Sequence, residues 1–101
     1  MATTSKVLFR GAATTTVGTT LYTVPSATTT VVTNIAVTNT GSSAYTFTLG
    51  LAGTSLHTTT AIAANTTVYI DCKQVLATTN TITGGASNVA VNFHISGVEI
   101  A

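Results

Sequence analysis

The stretch Val31-Val32-Thr33-Asn34-Ile35-Ala36-Val37-Thr38-Asn39-Thr40-Gly41-Ser42-Ser43-Ala44-Tyr45-Thr46-Phe47-Thr48-Leu49-Gly50-Leu51 carries the clearest pattern in the chain. Val31, Thr33, Ile35 and Val37 alternate with Val32, Asn34, Ala36 and Thr38, and then Tyr45, Phe47, Leu49 and Leu51 alternate with Ala44, Thr46, Thr48 and Gly50. A period of two is that of a strand with one face turned to a core. The side chains agree, because β-branched Val, Ile and Thr suit a pleated surface and are mediocre in helices. Between the two runs, Asn39 to Ser43 reads as a hairpin connection, with Gly41 available for a positive φ.

The same period continues outward. Val68, Ile70 and Cys72 alternate with Thr67, Tyr69 and Asp71, and Val89, Val91, Phe93 and Ile95 alternate with Ala90, Asn92, His94 and Ser96. The next apolar residues, Val98 and Ile100, fall on the opposite parity, with Gly97 at the switch. A bulge at Gly97 would return both to the core face. Shorter candidates are 6–10, 19–24 (stopped by Pro25), 55–62 and 80–83, the last ending at Gly84-Gly85, which reads as a turn. Seven or eight short strands with a turn about every ten residues describe an all-β fold, an antiparallel β-sandwich that is jelly-roll-like. Residues 1–18, small and weakly periodic, read as an N-terminal arm or loosely packed lead-in, and residues 19–101 as the sandwich domain. The triplets Thr14 to Thr16, Thr28 to Thr30 and Thr58 to Thr60 are unevenly spaced and fall at strand edges and loops, not in a solenoid repeat.

Composition narrows the function. The 101 residues include 26 Thr, seven Ser, six Asn and eight Gly, but only five charged side chains, against about a quarter of an ordinary domain. With 45% apolar residues, a mean hydropathy of +0.51 and a net charge of +1, the chain has the means to fold. Lys6, Arg10 and Lys73 are the whole basic inventory, too few for the several phosphate contacts that nucleic-acid binding needs. No apolar run is long enough for a membrane-spanning helix or, in the first residues, for a signal-peptide core. One cysteine permits no internal disulfide. Sheet edges are normally guarded by charge or proline, and a chain with five charges and one Pro has little of either. Two explanations fit that shortage: an outer surface of Thr, Ser and Asn covered in an assembly, or a soluble domain from a source that prefers Thr to Lys.

Chemistry is sparse. Asp71 and Glu99 are the only carboxylate side chains, and a glycosidase pair would need both across one cleft. Two solvated, strand-flanking charges are the simpler reading. His57 and His94 belong to no closely spaced ligand pair, and His94 falls on the polar side of its strand. Cys72 shares the face of Val68 and Ile70 and reads as an inert buried thiol. There is no nucleophile elbow or phosphate-cradling loop, and Asn65-Thr66-Thr67 reads as the start of a strand. The six Tyr and Phe residues, spread through the strands, read as core. No enzyme activity, metal or cofactor is expected.

Leu21-Tyr22-Thr23-Val24-Pro25, the run from Val32 to Thr40, Phe47-Thr48-Leu49, the run from Ile62 to Val68, and the closing Ser96-Gly97-Val98-Glu99-Ile100 occur in an order that resembles the small β-sandwich virion proteins of tailed bacteriophages. These are found as capsid decoration (cement) proteins and in tails or fibres. The resemblance covers about Leu21 to Ile100 and includes no catalytic signature. It implies a structural virion protein on the outer surface of the capsid, a homotrimer partnered by the major capsid protein. It also implies that the N-terminal segment is an attachment arm, with Lys6, Phe9 and Arg10 as capsid or subunit contacts. The alternative it leaves open is a tail or fibre module that binds a host cell-surface glycan through Thr, Asn and Tyr.

Overall fold

The computed structural model describes residues 3–70 and 73–101, so the readings of Asp71 and Cys72 lie outside the described residues. Among the described residues there are nine strands and no helix: β1 (Thr3–Ala12), β2 (Thr20–Thr23), β3 (Thr29–Asn39), β4 (Tyr45–Leu51), β5 (Thr54–Ile62), β6 (Thr66–Ile70), β7 (Gln74–Leu76), β8 (Thr81–Ala86) and β9 (Val91–Ile100). The strand that periodicity misses is β7, whose three residues are too few to show a period. One sheet has the order β1-β9-β3-β6, with β7 following β6 along the same side of β3, and the other has the order β2-β8-β4-β5. All pairings are antiparallel. First pairs with last: β1 with β9, β2 with β8, β3 with β6, β4 with β5. The chain is a long antiparallel ribbon, folded at the β4–β5 turn and wrapped into two facing sheets, which is the winding of a jelly roll.

The inward faces meet around Phe47 of β4 and Phe93 of β9, whose rings pack edge to face across the sandwich with centroids 6.4 Å apart. Ile35, Val37, Leu49, Ile62, Ile82 and Ile95 close around them without exposed surface to speak of. Burying side chains of this size contributes roughly 1.5–3 kcal/mol each.

The stretch from Asn39 to Ser43 is not a hairpin, because β3 and β4 lie in different sheets. It is a corner, built on a buried asparagine. The Asn39 Nδ2 donates to the Ser43 carbonyl at 2.8 Å and to the Ile62 carbonyl at 3.3 Å, while its Oδ1 accepts from the Gly41 N–H at 2.9 Å. The true tight hairpin joins β4 to β5 through Ala52 and Gly53, both at positive φ (53° and 79°), as a two-residue loop of the primed kind requires. Gly84 and Gly85 are likewise not a turn. Both are buried inside β8, and a Cβ on Gly85 would stand 2.7 Å from the Cα of Val17, in the loop laid over that strand.

Nor do residues 1–18 stand off as an arm over the part that is described. β1 pairs along the length of β9, Leu8 is buried, and the loop after it is tied to β8 by the Ala86 N–H to the Thr14 carbonyl and the Gly84 N–H to the Thr19 carbonyl, both at 2.9 Å. The segment carries the chain from one sheet to the other, with one side of β1 bonded to β9 and the other left as a sheet edge.

The parity break at Gly97 is real but is resolved on the neighbouring strands. Leu8 of β1, opposite the Ile95–Ser96 step, and Thr33 of β3, opposite the Ser96–Gly97 step, are the extra residues, while β9 runs straight. Gly97 therefore faces inward, where a Cβ would meet the Val31 carbonyl oxygen and, at 2.8 Å, Leu8 Cδ1. Val98 and Ile100 stay off the core face, half-buried. We expect Gly97→Ala to destabilise the fold by about 1–3 kcal/mol through overpacking, read as a lower urea midpoint with unchanged slope.

Candidate functional site: an open sheet face and the clasp behind it

Along the β1-β9-β3-β6 sheet the outward side chains form rows set by the register. One row is Ser5, Val98, Val31 and Val75; the next is Val7, Ser96 and Asn34. Then come Arg10, His94, Ala36 and Tyr69, and last Ala12, Asn92, Thr38 and Thr67. Arg10 is the one charged residue in these rows. Four valines occupy one end, with Val75 68% exposed, and Tyr69 stands 72% exposed on the edge strand β6. Of the six aromatic residues read as core, Tyr69 is thus the exception, although its place opposite Val68 and Ile70 in the alternation marks it as outward. Ala36 lies between His94 and Tyr69 and is screened by them to 8% exposure. Thr38 and Thr67 share a hydroxyl hydrogen bond of 3.0 Å across β3 and β6.

The expected contact residues part company. Arg10 is exposed on the outer face, opposite His94. Phe9 faces the other way, opposite Ile95, and packs against the core. Lys6 also sits on the inward side of β1, opposite Gly97, where its Nζ reaches both Glu99 oxygens at 3.4 Å.

Glu99 is a working part of the fold, not a solvated flank. With β9 straight, it follows Phe93, Ile95 and Gly97 on the inward side and reaches the open end of the sandwich. There the Tyr22 hydroxyl, from the opposite sheet, donates to Glu99 Oε2 and shares a 2.8 Å hydrogen bond with Thr30 Oγ1 of β3. Tyr22 and Thr30 are buried, the Glu99 side chain is 15% exposed and that of Lys6 48%. The Tyr22 hydrogen bond, helped by Lys6, holds the Glu99 carboxyl below its ordinary range. Burial, then the bond to Glu99, raises the Tyr22 phenol. These four residues clasp the sheets at one end, and no signal in the sequence joined Tyr22 to Glu99 because their meeting depends on the bulges.

His57 is paired too: its Nδ1 is 3.2 Å from Thr60 Oγ1, and its ring packs on Phe47 with centroids 5.3 Å apart. Asn65, at φ 53°, forms the turn into β6. Among the described residues no three His, Cys, Asp or Glu side chains gather as metal ligands.

The clasp sets the pH response. A carboxyl depressed in the folded state adds stability above its ordinary value near 4.5, lost as pH falls through the depressed value. A phenol raised in the folded state adds stability below its ordinary 10.0, lost as pH rises through the raised value. The melting temperature should be level between these limits and fall on both sides, with Glu99→Gln flattening the acid limb and Tyr22→Phe the alkaline one. Comparison of the sequence with known protein families and with curated proteins finds no match.

Proposed function

We propose that the chain is a structural virion protein, a decoration (cement) protein that binds the outside of a phage capsid and stabilises it through contacts across neighbouring subunits. The observation that carries this reading is the division of labour among its polar groups. Lys6, Tyr22, Thr30, Glu99 and Asn39 hold the sheets and their corner together, while a broad sheet face with one charged side chain, beside a ten-residue strand edge, is turned to solvent. Such a surface suits many modest contacts with another protein, repeated by symmetry, better than a grip on a small molecule. The jelly-roll winding recurs in capsid and lectin domains, but a fold does not choose a function, so the surface carries the argument.

In this reading the partner is the major capsid protein, the chain is a homotrimer, and the role needs neither cofactor nor catalysis. Arg10, exposed beside the β1 edge, pairs with a carboxylate on the capsid surface. Lys6 contributes through its half-exposed ammonium, shared with Glu99. The second reading, a tail or fibre module for a host glycan, draws on Tyr69, whose open ring lies in a sheet face rich in Thr and Asn.

A gold-labelled antibody against the chain, applied to intact virions of its source, separates the two. Label spread over the head is expected, label at the tail tip would put glycan binding first, and unlabelled particles would remove both. Arg10→Glu should lower co-sedimentation with particles, and less so at high salt, where an exposed ion pair is already screened.

A further inference from the structure

We propose that the outer face of the β1-β9-β3-β6 sheet pairs with the same face of a second copy of this chain. Register and symmetry support this pairing. A two-fold axis lying between the copies, parallel to the strands and midway between β9 and β3, reverses the order of strands across the interface while keeping each row in line. β1 then lies over the partner's β6, and β9 over the partner's β3.

In the Arg10 row, and between β9 and β3 in the others, the side chains complement their own reversal. Arg10 comes over the tyrosine at position 69 of the second copy, and the reverse contact follows from the symmetry. A guanidinium over an open phenol ring is a favourable cation–π contact, and the Tyr69 ring is 72% exposed and free to accept it. Between those two contacts the His94 imidazole falls over Ala36, the smallest side chain of its row, a bulky group facing a hollow. In the valine row, Val98 meets Val31.

The size is sufficient. Four strands span about 14 Å between outer axes and ten residues about 33 Å in length, so with side-chain width the face offers roughly 600 Å² per copy, at the lower end of what a specific interface needs. Repulsion is small, because Arg10 is the one charge in these rows and the net charge is +1. The opposite outer face is less open, since the loop after β1 lies over Gly85 there. The pairing uses the face and the Arg10 that the virion reading gives to the capsid, so it belongs to the free chain and is given up on attachment. A trimer held through other surfaces leaves this face open, and pairing would then give a hexamer.

The test is sedimentation equilibrium of the full chain and three variants, with melting curves to confirm folding, which exposed positions should leave intact. The wild type is expected as a dimer or hexamer. Tyr69→Arg sets Arg against Arg at both contacts and should weaken pairing by about tenfold or more, as should Arg10→Glu. The double variant Arg10→Tyr, Tyr69→Arg exchanges the partners and should restore it. A wild-type monomer or bare trimer would overturn the proposal. So would a dimer or hexamer that Tyr69→Arg leaves unchanged, or a double variant no better than Tyr69→Arg alone.

Discussion

The structure depends on β9, the last strand of the chain, lying straight between β1 and β3. It has no free edge, and its inward residues Val91, Phe93 and Ile95 are wholly buried against the facing sheet. What lets it run straight is the glycine at position 97. There both neighbouring strands bulge, on the two steps that flank Ser96, and the space where a side chain would stand is filled by Leu8 and the Val31 carbonyl. Because β9 does not slip, Glu99 keeps the inward parity, and the clasp with Tyr22, Thr30 and Lys6 becomes possible. The core, the closed end of the sandwich and the choice of which valines face outward all follow from one position without a Cβ. The cost lies in folding order: β9 can pair with β1 only after nearly the whole chain has been made and its ends brought together, and such long-range pairings form slowly.

A sheet protein with five charged residues must guard its edges by other means. Shape does much of it here. β1 carries the bulge at Leu8, and β5 departs twice from regular pairing with β4, with Thr59 at φ 48° near the first departure. β2 has four residues and a register shift, and the far edge of β3's neighbours is divided between β6 and the three-residue β7. Short or kinked edges offer a passing strand few consecutive hydrogen bonds. The lone lysine on β1 is thereby released from guard duty and turns inward to Glu99.

The parts legible in the sequence were those that a period of two decides. The alternations through Ile35, Phe47, Val68 and Phe93 place strands and most of the core, and the sandwich follows; the exceptions are Val31, which the bulge at Thr33 turns outward in favour of Val32, and Val89, exposed ahead of β9. What the period could not decide is which strand crosses between sheets. Asn39-Thr40-Gly41 has the residues of a turn, yet the asparagine is a buried corner post, a role visible only once β3 and β4 are known to part. Glycine misled in the same way: Gly84-Gly85 resembles a turn locally and is instead a strand that needs room for the loop above it. The parity break at Gly97 marked a bulge but not its owner, since a slip between strands can be taken up by either. For the site, Arg10 and Tyr69 have the right alternation to be exposed, whereas their shared row is a property of four aligned strands that no single segment contains.

Charge placement ties fold to surface. Burying a carboxylate's surroundings is tolerable only with hydrogen bonds and a nearby cation, so once the parity of β9 aims Glu99 at the sandwich opening, Tyr22 and Lys6 are drawn to it. That leaves the four rows of the outer face with a single guanidinium in a field of Val, Thr and Asn. A face of this kind has only a weak long-range field to steer a partner, and one guanidinium discriminates little by charge alone. Selectivity on it must come from fit, that is, from which side chain stands opposite which across the rows. The register of β1, β9 and β3 is therefore both the source of stability inside the sandwich and the means of recognition outside it, and the bulges at Leu8 and Thr33 that keep Gly97 inward determine the order in which Val7, Arg10, His94 and Tyr69 are displayed.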